Sequence, residues 1–147
     1  MLIRCERLHD PTSSDLGVLV TESEAAGMRL VRRLLDEWRD GSNRFDRPGE
    51  VLFGAWLDAE LVGVGGLNID PYAGDPRVGR VRHLYVLVAA RRLGVASALM
   101  AEIISAARGR FQTLRLSTTN PAAGRLYESL GFRPVNQPHC THVLSLA

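Results

Sequence analysis

The stretch that begins at Leu84 constrains the fold most strongly, because it changes from a strand pattern to a helix pattern across one short turn. Apolar residues run without interruption from Leu84 to Val88, and the turn is followed by an apolar helical face at Val95, Ala98, Leu99 and Ile103. The first amides of a helix have no acceptor within the helix, and the macrodipole adds positive potential there. The turn from Arg91 to Ala96 therefore predicts a binding site for an anion.

Small and basic residues make this turn suitable for a phosphate group. Gly94 and Ala96 lack bulk, so a pyrophosphate can approach the backbone closely, and Arg91 and Arg92 add positive charge beside the same amides. The alternative is an ordinary connection between a strand and a helix, with both arginines in solvent.

A second glycine cluster, at residues 63–66, gives a different signal. It lies within a strand pattern and leads to Pro71, whereas a dinucleotide-binding turn leads into a helix. The cluster therefore predicts a strand with a bulge or with a close approach of backbone.

The remaining pattern predicts an α/β fold with a mixed sheet and helices on both faces. Strands are predicted at residues 1–8, 50–57, 61–69, 78–88 and 111–117, and edge strands at residues 132–133 and 141–146. The short link at residues 58–60 predicts a hairpin.

Capping signals mark the predicted helices. Residues 10–14 form a turn that can open a short helix, and Thr21 and Glu24 have the spacing of a capping box for a helix that ends before Gly41. A helix is predicted at residues 94–107. The last helix has Asn120 as its N-cap, Pro121 at its first position and Gly131 after its end.

Composition excludes several classes of protein. The 147 residues fit one domain, residues 1–147, which can bury a core without disulfides or metals. No apolar run reaches the roughly 18 residues that span a bilayer, and the start of the chain lacks a signal-peptide pattern, so we expect a cytoplasmic protein with no membrane partner. All 18 basic residues are arginine, but the net charge of +2 is too small to indicate nucleic acid as a partner. Cys5 and Cys140 lack metal-ligand spacing, so no metal site is expected.

Two motifs together resemble the signatures of the GNAT superfamily of acetyl-CoA-dependent N-acetyltransferases. The first is the turn from Arg91 to Ala96, which reads RRLGVA and follows a strand that contains Leu84-Tyr85-Val86. The second runs from Asn120 to Phe132 and reads NPAAGRLYESLGF. The two motifs in this order and spacing are far more specific than either alone, and the order of elements agrees over nearly the whole chain.

The resemblance implies a fold in which two central parallel strands splay apart, with acetyl-CoA as the cosubstrate in the gap. Leu84, Tyr85 and Val86 are then expected to lie along the pantetheine arm. The resemblance places the pyrophosphate among Arg91, Arg92, Leu93, Gly94, Val95, Ala96 and Ser97. It also implies that Asn120 contacts the arm near its reactive end.

Acetyl transfer to an amine needs a neutral amine, donors for the thioester oxygen and a proton for the departing thiolate. By resemblance, Tyr127 is the acid that protonates the thiolate, and the backbone amide of Val86 is the donor to the oxygen. The helical stripe alone favours another interpretation of Tyr127, as a residue packed on the sheet with its hydroxyl at the surface.

The base that would neutralise the amine is not evident. Members of this superfamily often carry a glutamate at positions that here hold Arg80 and Arg115, and a guanidinium does not accept a proton at neutral pH. His83 is the nearest substitute, since the usual pKa of histidine suits the task. A structural hydrogen bond on a strand is the other interpretation of His83. Tyr85 with a chain of water molecules, or an acceptor of low pKa such as an aniline, a hydrazine or a peptide amino terminus, are further routes.

The leading hypothesis is an N-acetyltransferase that acts on a primary amine of a small molecule or peptide, by direct attack in a ternary complex. The acceptor wall is expected from the first helices and the loop after the third strand, where Asp70, Tyr72, Glu22 and Glu24 could attract a cationic amine. The arginines at the base positions suggest an alternative, an acyl-CoA sensor without strong catalysis. A nucleic-acid-binding module ranks third. Dimers are common in such families, so a homodimer is an open expectation.

Overall fold

The computed structural model describes residues 2–13 and 15–146, and within them seven strands form one mixed sheet in the order β1-β2-β3-β4-β5-β7-β6. The strands are β1 (Ile3–Arg7), β2 (Val51–Leu57), β3 (Glu60–Ile69), β4 (Val78–Val86), β5 (Thr113–Leu116), β6 (Arg133–Gln137) and β7 (Cys140–Ser145). The helices are α1 (Gly17–Ala25), α2 (Leu30–Asp40), α3 (Val95–Arg108) and α4 (Pro121–Ser129), with a 3-10 turn at Val88–Ala90. The predicted α/β class is confirmed. Met1 and Ser14, which belong to two predicted elements, lie outside the described residues.

Helices cover both faces of the sheet because successive residues of a strand point to opposite sides. Leu52 and Val64 pack in one buried cluster with residues of α1 and α2, including Leu19 and Leu34. The neighbouring Val51 belongs to another cluster, with residues of α3 and with Tyr127 of α4. The two sets of helices therefore hold the central strands between them.

The prediction of one helix that starts at a Thr21 capping box is wrong. Thr21 lies inside α1, and the chain leaves the helix at Gly27, which has a φ of 79°. The amide of Gly27 bonds back to the carbonyl of Glu24, and α2 then begins at Leu30. A left-handed glycine after a helix is a common C-terminal signal, and here it divides the predicted helix into two.

The chain ends in a hairpin, but only one of its strands is at an edge. β7 lies between β5 and β6 and pairs antiparallel with both, so the expectation that it is an edge strand is wrong. The predicted link at residues 58–60 does form a hairpin, in which Leu57 is paired with Glu60. The strand predicted at residues 78–88 ends at Val86, because the 3-10 turn follows it.

The centre of the sheet opens where its two parallel strands meet. β4 and β5 are paired only through residues 78–80 and 113–115, while β4 continues to Val86 without a partner on that side among the described residues. This is the splay that the sequence resemblance implied.

A bulge interrupts β4 beside the opening. Val64 is paired with Tyr85 and Gly66 with Arg82, so His83 and Leu84 together face a single residue of β3. His83 adopts a φ of 60°, and a Cβ on Gly66 would lie 2.6 Å from the ring of Phe45. The bulge predicted for the glycine cluster is confirmed, although the extra residue is on β4, and the close contact at Gly66 is with the side chain of Phe45.

Candidate active site

A cleft of about 840 Å³ fills the opening between β4 and β5. Its walls come from the second half of β4, the turn before α3, the start of α3, the segment that leads into α4, and the start of α2. Twelve of the thirteen predicted site residues line it: His83, Leu84, Tyr85, Val86, Arg91, Arg92, Gly94, Val95, Ala96, Ser97, Asn120 and Tyr127. The exception is Leu93, which is absent from the lining and 39% exposed.

The turn before α3 leaves backbone donors free. Gly94 is the N-cap with a φ of 87°, and no side chain of the described residues caps the helix. The amide of Ala98 bonds to the carbonyl of Gly94, so the preceding amides of the first turn have no acceptor within the helix. Arg92 also has a positive φ, of 65°, which is uncommon for a residue with a side chain. The strained turn directs free amides and a cationic side chain to one place, as anion binding requires.

The side chain of Arg91 folds back on the end of β4. Its Nε donates to the carbonyl of Val86 over 2.9 Å, and its guanidinium carbon lies 5.4 Å from the ring centre of Tyr85. This contact ties the turn to the strand and keeps positive charge at the rim of the cleft.

The amide of Val86 faces the opening. Leu87 donates its amide to Val62 of β3 over 2.8 Å. Because amides of successive strand residues point to opposite edges, the amide of Val86 points away from β3 and into the gap. A donor in this position can bind an oxygen atom of a ligand in the cleft.

Tyr127 enters the cleft from α4 and is 6% exposed. Its ring packs against Phe132 and His142, with centroid distances of 5.8 Å and 6.1 Å. Burial raises the pKa of the Tyr127 hydroxyl to about 12, so the hydroxyl stays protonated at neutral pH. Tyr127 therefore lines the cleft as a buried residue whose hydroxyl keeps its proton.

The side chain of Asn120 caps α4 through its oxygen and leaves its amide nitrogen available to a ligand. Its Oδ1 accepts from the amides of Ala122 and Ala123 at 2.9 Å and 3.4 Å, which caps α4 as predicted. No group in the described part of the chain accepts from its Nδ2, which can therefore donate to a ligand in the cleft.

His83 sits at the bulge of β4 with its two ring nitrogens in different environments. Nδ1 lies 2.9 Å from the carbonyl oxygen of Leu30, which only accepts, so Nδ1 carries the proton. Nε2 is buried and has no hydrogen-bond partner among the described residues. Burial, the charge of Arg82 and, more weakly, that of Arg33 lower the pKa of His83 to about 4, although the Leu30 carbonyl acts in the opposite direction. His83 therefore lacks the ordinary histidine pKa on which its prediction as the base depends.

Arg80 and Arg115 share a carboxylate that the sequence argument did not pair with them. Oδ2 of Asp70 lies 3.3 Å from Arg80 and 3.5 Å from Arg115, and its side chain is fully buried. Oδ1 accepts the amides of Tyr72 and Ala73. Asp70 follows directly after β3, and its place beside both arginines depends on the register that pairs Arg80 of β4 with Arg115 of β5.

The carboxylates of Glu22 and Glu24, which were predicted to attract the amine, also form hydrogen bonds within the protein. Tyr85 donates its hydroxyl to Glu22 over 2.6 Å, and the amide of Val88 donates to the same oxygen over 3.0 Å. Burial and this hydrogen bond raise the pKa of Tyr85 to about 12. Glu24 binds Arg32 through two hydrogen bonds. These acids therefore bind the protein itself.

The charged side chains among the described lining residues of the cleft are all basic. None of the described lining residues is Asp or Glu, whereas five are arginine: Arg33, Arg80, Arg82, Arg91 and Arg92. The wall from the first helices was predicted in general terms, but the residues Met28, Leu30 and Arg33 that form it were not. Their signal would have been the break at Gly27, which turns the start of α2 toward the cleft.

Residues 2–13 and 15–146 contain no group of three or more His, Cys, Asp or Glu side chains arranged to hold a metal ion. None of their helices has the length and apolar character needed to cross a membrane. Cys5 and Cys140 are free thiols.

Comparison with known proteins gives consistent matches. The profile of the acetyltransferase (GNAT) family matches residues 16–132. Aminoglycoside N(6')-acetyltransferase type 1 of Klebsiella aerogenes is 37% identical over 105 residues, which cover 67% of this chain and 69% of that protein. The crystal structure of a candidate acetyltransferase from Exiguobacterium sp. 255-15 is 33% identical, covers 99% of this chain and 94% of its own, and has a TM-score of 0.89.

A more distant structure agrees in fold alone. The ribosomal-protein-S18-alanine N-acetyltransferase of Escherichia coli is 16% identical, with a TM-score of 0.69 over 99% of this chain and 95% of its own.

Proposed function

The chain belongs to the GNAT family of acetyltransferases, and on this premise we propose that it transfers an acetyl group from acetyl-CoA to a primary amine of a small molecule or peptide. The observation that supports the proposal most directly is the cleft between the splayed strands, which combines free amides at the start of α3 with a buried, protonated Tyr127.

The cleft has the donors that acetyl-CoA needs. The uncapped amides at the start of α3 and the side chain of Arg92 suit the pyrophosphate. The open edge of β4 suits the polar pantetheine arm, because its backbone groups have no strand partner there among the described residues. Asn120 can donate through Nδ2 from the opposite wall.

Acetyl-CoA supplies a thioester whose carbonyl carbon is attacked by the amine, with breakage of the carbon–sulfur bond. The amide of Val86 would bind the carbonyl oxygen as negative charge develops on it. Tyr127 would donate its proton to the departing thiolate, since its hydroxyl is still protonated at neutral pH. In this scheme both substrates occupy the cleft at the same time.

His83 would accept a hydrogen bond from the amine. His83 lines the cleft, and its Nε2 is unprotonated, buried and without a partner among the described residues. With a pKa of about 4 it is a weak base, so we assign it to orienting the neutral amine. The proton that the amine loses would pass to water.

Two measurements test the proposal. Calorimetric titration should give acetyl-CoA binding in the range of roughly 1 μM to 1 mM that is usual for enzyme substrates. A free-thiol assay with a panel of amines, including an aminoglycoside because of the Klebsiella relative, should give CoA release that depends on the added amine. Absence of binding at millimolar acetyl-CoA would refute the proposal.

A second candidate function is an acyl-CoA sensor of the same fold. It is favoured by the lining of the cleft, in which none of the described residues is a free carboxylate able to act as a strong base. Tight acetyl-CoA binding without amine-dependent thiol release across the panel would support the sensor. Release with any amine would exclude it.

A further inference from the structure

One end of the cleft carries an excess of positive charge, and the assigned chemistry does not use it. This acceptor end is lined by Met28, Leu30 and Arg33 at the start of α2 and by Arg80, Arg82 and His83 on β4. It lies on the opposite side of Leu84 from the turn that suits the pyrophosphate, since these β4 residues precede Leu84 in the strand.

The arginines of the acceptor end are neutralised only in part. Arg33 is exposed in the first turn of α2 and has no acidic partner among the described residues. Arg80 shares the single carboxylate of Asp70 with Arg115, which leaves one positive charge in excess. Arg82 lies 3.7 Å from Glu37, so that pair is close to neutral.

Two of these charges, on Arg82 and Arg33, act on His83. Arg82 on β4 and Arg33 on α2 are both close enough to lower its pKa, and the Leu30 carbonyl fixes the proton on Nδ1. Nε2 is therefore an unpartnered acceptor, on a residue that is 8% exposed, in a cationic setting. A ligand that suits both features presents an N–H to Nε2 and negative charge to the arginines.

We propose that the acceptor is a primary amine that also carries an acidic group, a carboxylate or a phosphate, a few bonds from its nitrogen. Arg33 holds the acidic group, and Nε2 of His83 accepts an N–H of the amine. This inference rests on the proposed function, because it names the acceptor class for the same cleft. A polycation such as an aminoglycoside would be repelled by the excess positive charge of the acceptor end.

The same charges explain how an amine reacts without a carboxylate base. Positive neighbours disfavour an ammonium ion, so the bound amine loses its proton to water more readily than in solution. The acidic group offsets the repulsion that would otherwise weaken binding, because an arginine fork forms charge-assisted hydrogen bonds with carboxylate or phosphate.

The test compares amines that differ only in the acidic group. Glycine is compared with glycinamide, and O-phosphoethanolamine with ethanolamine, alongside one aminoglycoside, in the free-thiol assay with acetyl-CoA. The expected result is a kcat/KM at least about tenfold higher for the acidic member of a pair, as a charge-assisted hydrogen bond predicts. The two pairs distinguish a carboxylate from a phosphate.

Variants locate the effect at the acceptor end. Arg33→Ala should lower kcat/KM for the acidic amine by about tenfold, mainly through KM, and leave the KM for acetyl-CoA within about twofold. Arg39→Ala is the matched control, since Arg39 is exposed on the same helix and outside the cleft. A rise in the KM for acetyl-CoA alone would assign Arg33 to the cosubstrate and overturn the proposal.

The outcomes distinguish failure of the acidic-acceptor proposal from failure of the acetyltransferase function. Equal or better turnover of the neutral or polycationic amines overturns the acidic-acceptor proposal and leaves the acetyltransferase function intact. If no amine releases CoA, the acetyltransferase function fails, and titration of each pair into the protein with CoA decides the remaining question. Preferential binding of the acidic member then supports the inference, and equal or absent binding overturns it.

Discussion

Nδ1 of His83 lies 2.9 Å from the carbonyl oxygen of Leu30, which ties the bulge of β4 to the first residue of α2. The bond uses the nitrogen that faces the helix and leaves Nε2 without a partner among the described residues. The groups that act on the ring come from two elements, Arg82 from β4 and Arg33 and the Leu30 carbonyl from α2. The environment of His83 leads to two predictions, one on the pH dependence of stability and one on that of activity.

The first concerns stability. The pKa of His83 is about 4 in the folded protein and is expected near 6.5 when unfolded, so the unfolded state binds more protons between these values. Stability associated with His83 is therefore fully present above pH 6.5 and is lost as the pH falls toward 4, by about 3 kcal/mol. Urea unfolding across this range, compared with His83→Gln, should give a flatter profile for the variant. Parallel profiles would contradict the lowered pKa.

The second concerns activity. If Nε2 of His83 accepts from the amine, protonation of the ring stops the reaction, and the acidic limb of kcat/KM that belongs to His83 lies near pH 4. His83→Gln should lower kcat and remove this limb, since its amide does not titrate. A limb near pH 6.5 that disappears in the variant would instead indicate that the bound substrates restore an ordinary histidine pKa.

Tyr127→Phe tests whether the Tyr127 hydroxyl donates the proton to the departing thiolate. Loss of the hydroxyl should lower kcat by about 10²-fold, within the range of general acid catalysis, and change the KM for acetyl-CoA by less than about threefold. The ring contacts with Phe132 and His142 survive the change, so thermal unfolding serves as the folding control. An unchanged single-turnover rate would remove Tyr127 from the chemistry.

Asp70→Asn tests the carboxylate between the two arginines. The change leaves Arg80 and Arg115 without their shared anion, and Arg80 is 7% exposed, so the free energy of unfolding should fall by about 3 to 5 kcal/mol. Asp75→Asn is the control, because Asp75 pairs with Arg77 at the surface and should matter little. Equal denaturation midpoints for the two variants would contradict a structural role of Asp70.

Gly94→Ala tests the turn. Gly94 has a φ of 87°, which costs an alanine about 1 to 2 kcal/mol, so the turn should shift and the KM for acetyl-CoA should rise severalfold. Gly109→Ala at the other end of α3 is the matched control, because Gly109 has a φ of −85°, which alanine adopts freely, and open space around it. If both variants bind acetyl-CoA like the parent protein, the left-handed turn is not needed for binding.

Local patterns predicted the parts of the site that lie on one segment. The turn from Arg91 to Ala96 and the capped start of α4 at Asn120 were both readable, because glycine, small residues and N-caps act on adjacent backbone. The bulge was also visible as residues 63–66, although its partner strand carries the extra residue.

Contacts between distant segments were not predictable in the same way. The pairing of Asp70 with Arg80 and Arg115 depends on the parallel register of β4 and β5, which no local pattern contains. The low pKa of His83 depends on burial beneath α2. The sequence predicted α1 and α2 as one helix, so this burial was not expected. The cationic acceptor end therefore emerged only from the three-dimensional arrangement.

The bulge at His83 also changes the phase of β4. Before it, Arg80 and Arg82 share one side of the strand and Val81 packs with α3 on the other. After it, Tyr85 takes the arginine side, while Leu84 and Val86 pack toward α3. A strand of uniform alternation would put Tyr85 beneath α3 and expose Leu84 and Val86 to α1 and α2. One inserted residue thus reverses which side chains of β4 face α1 and α2 and which face α3, within a single strand that lines the cleft.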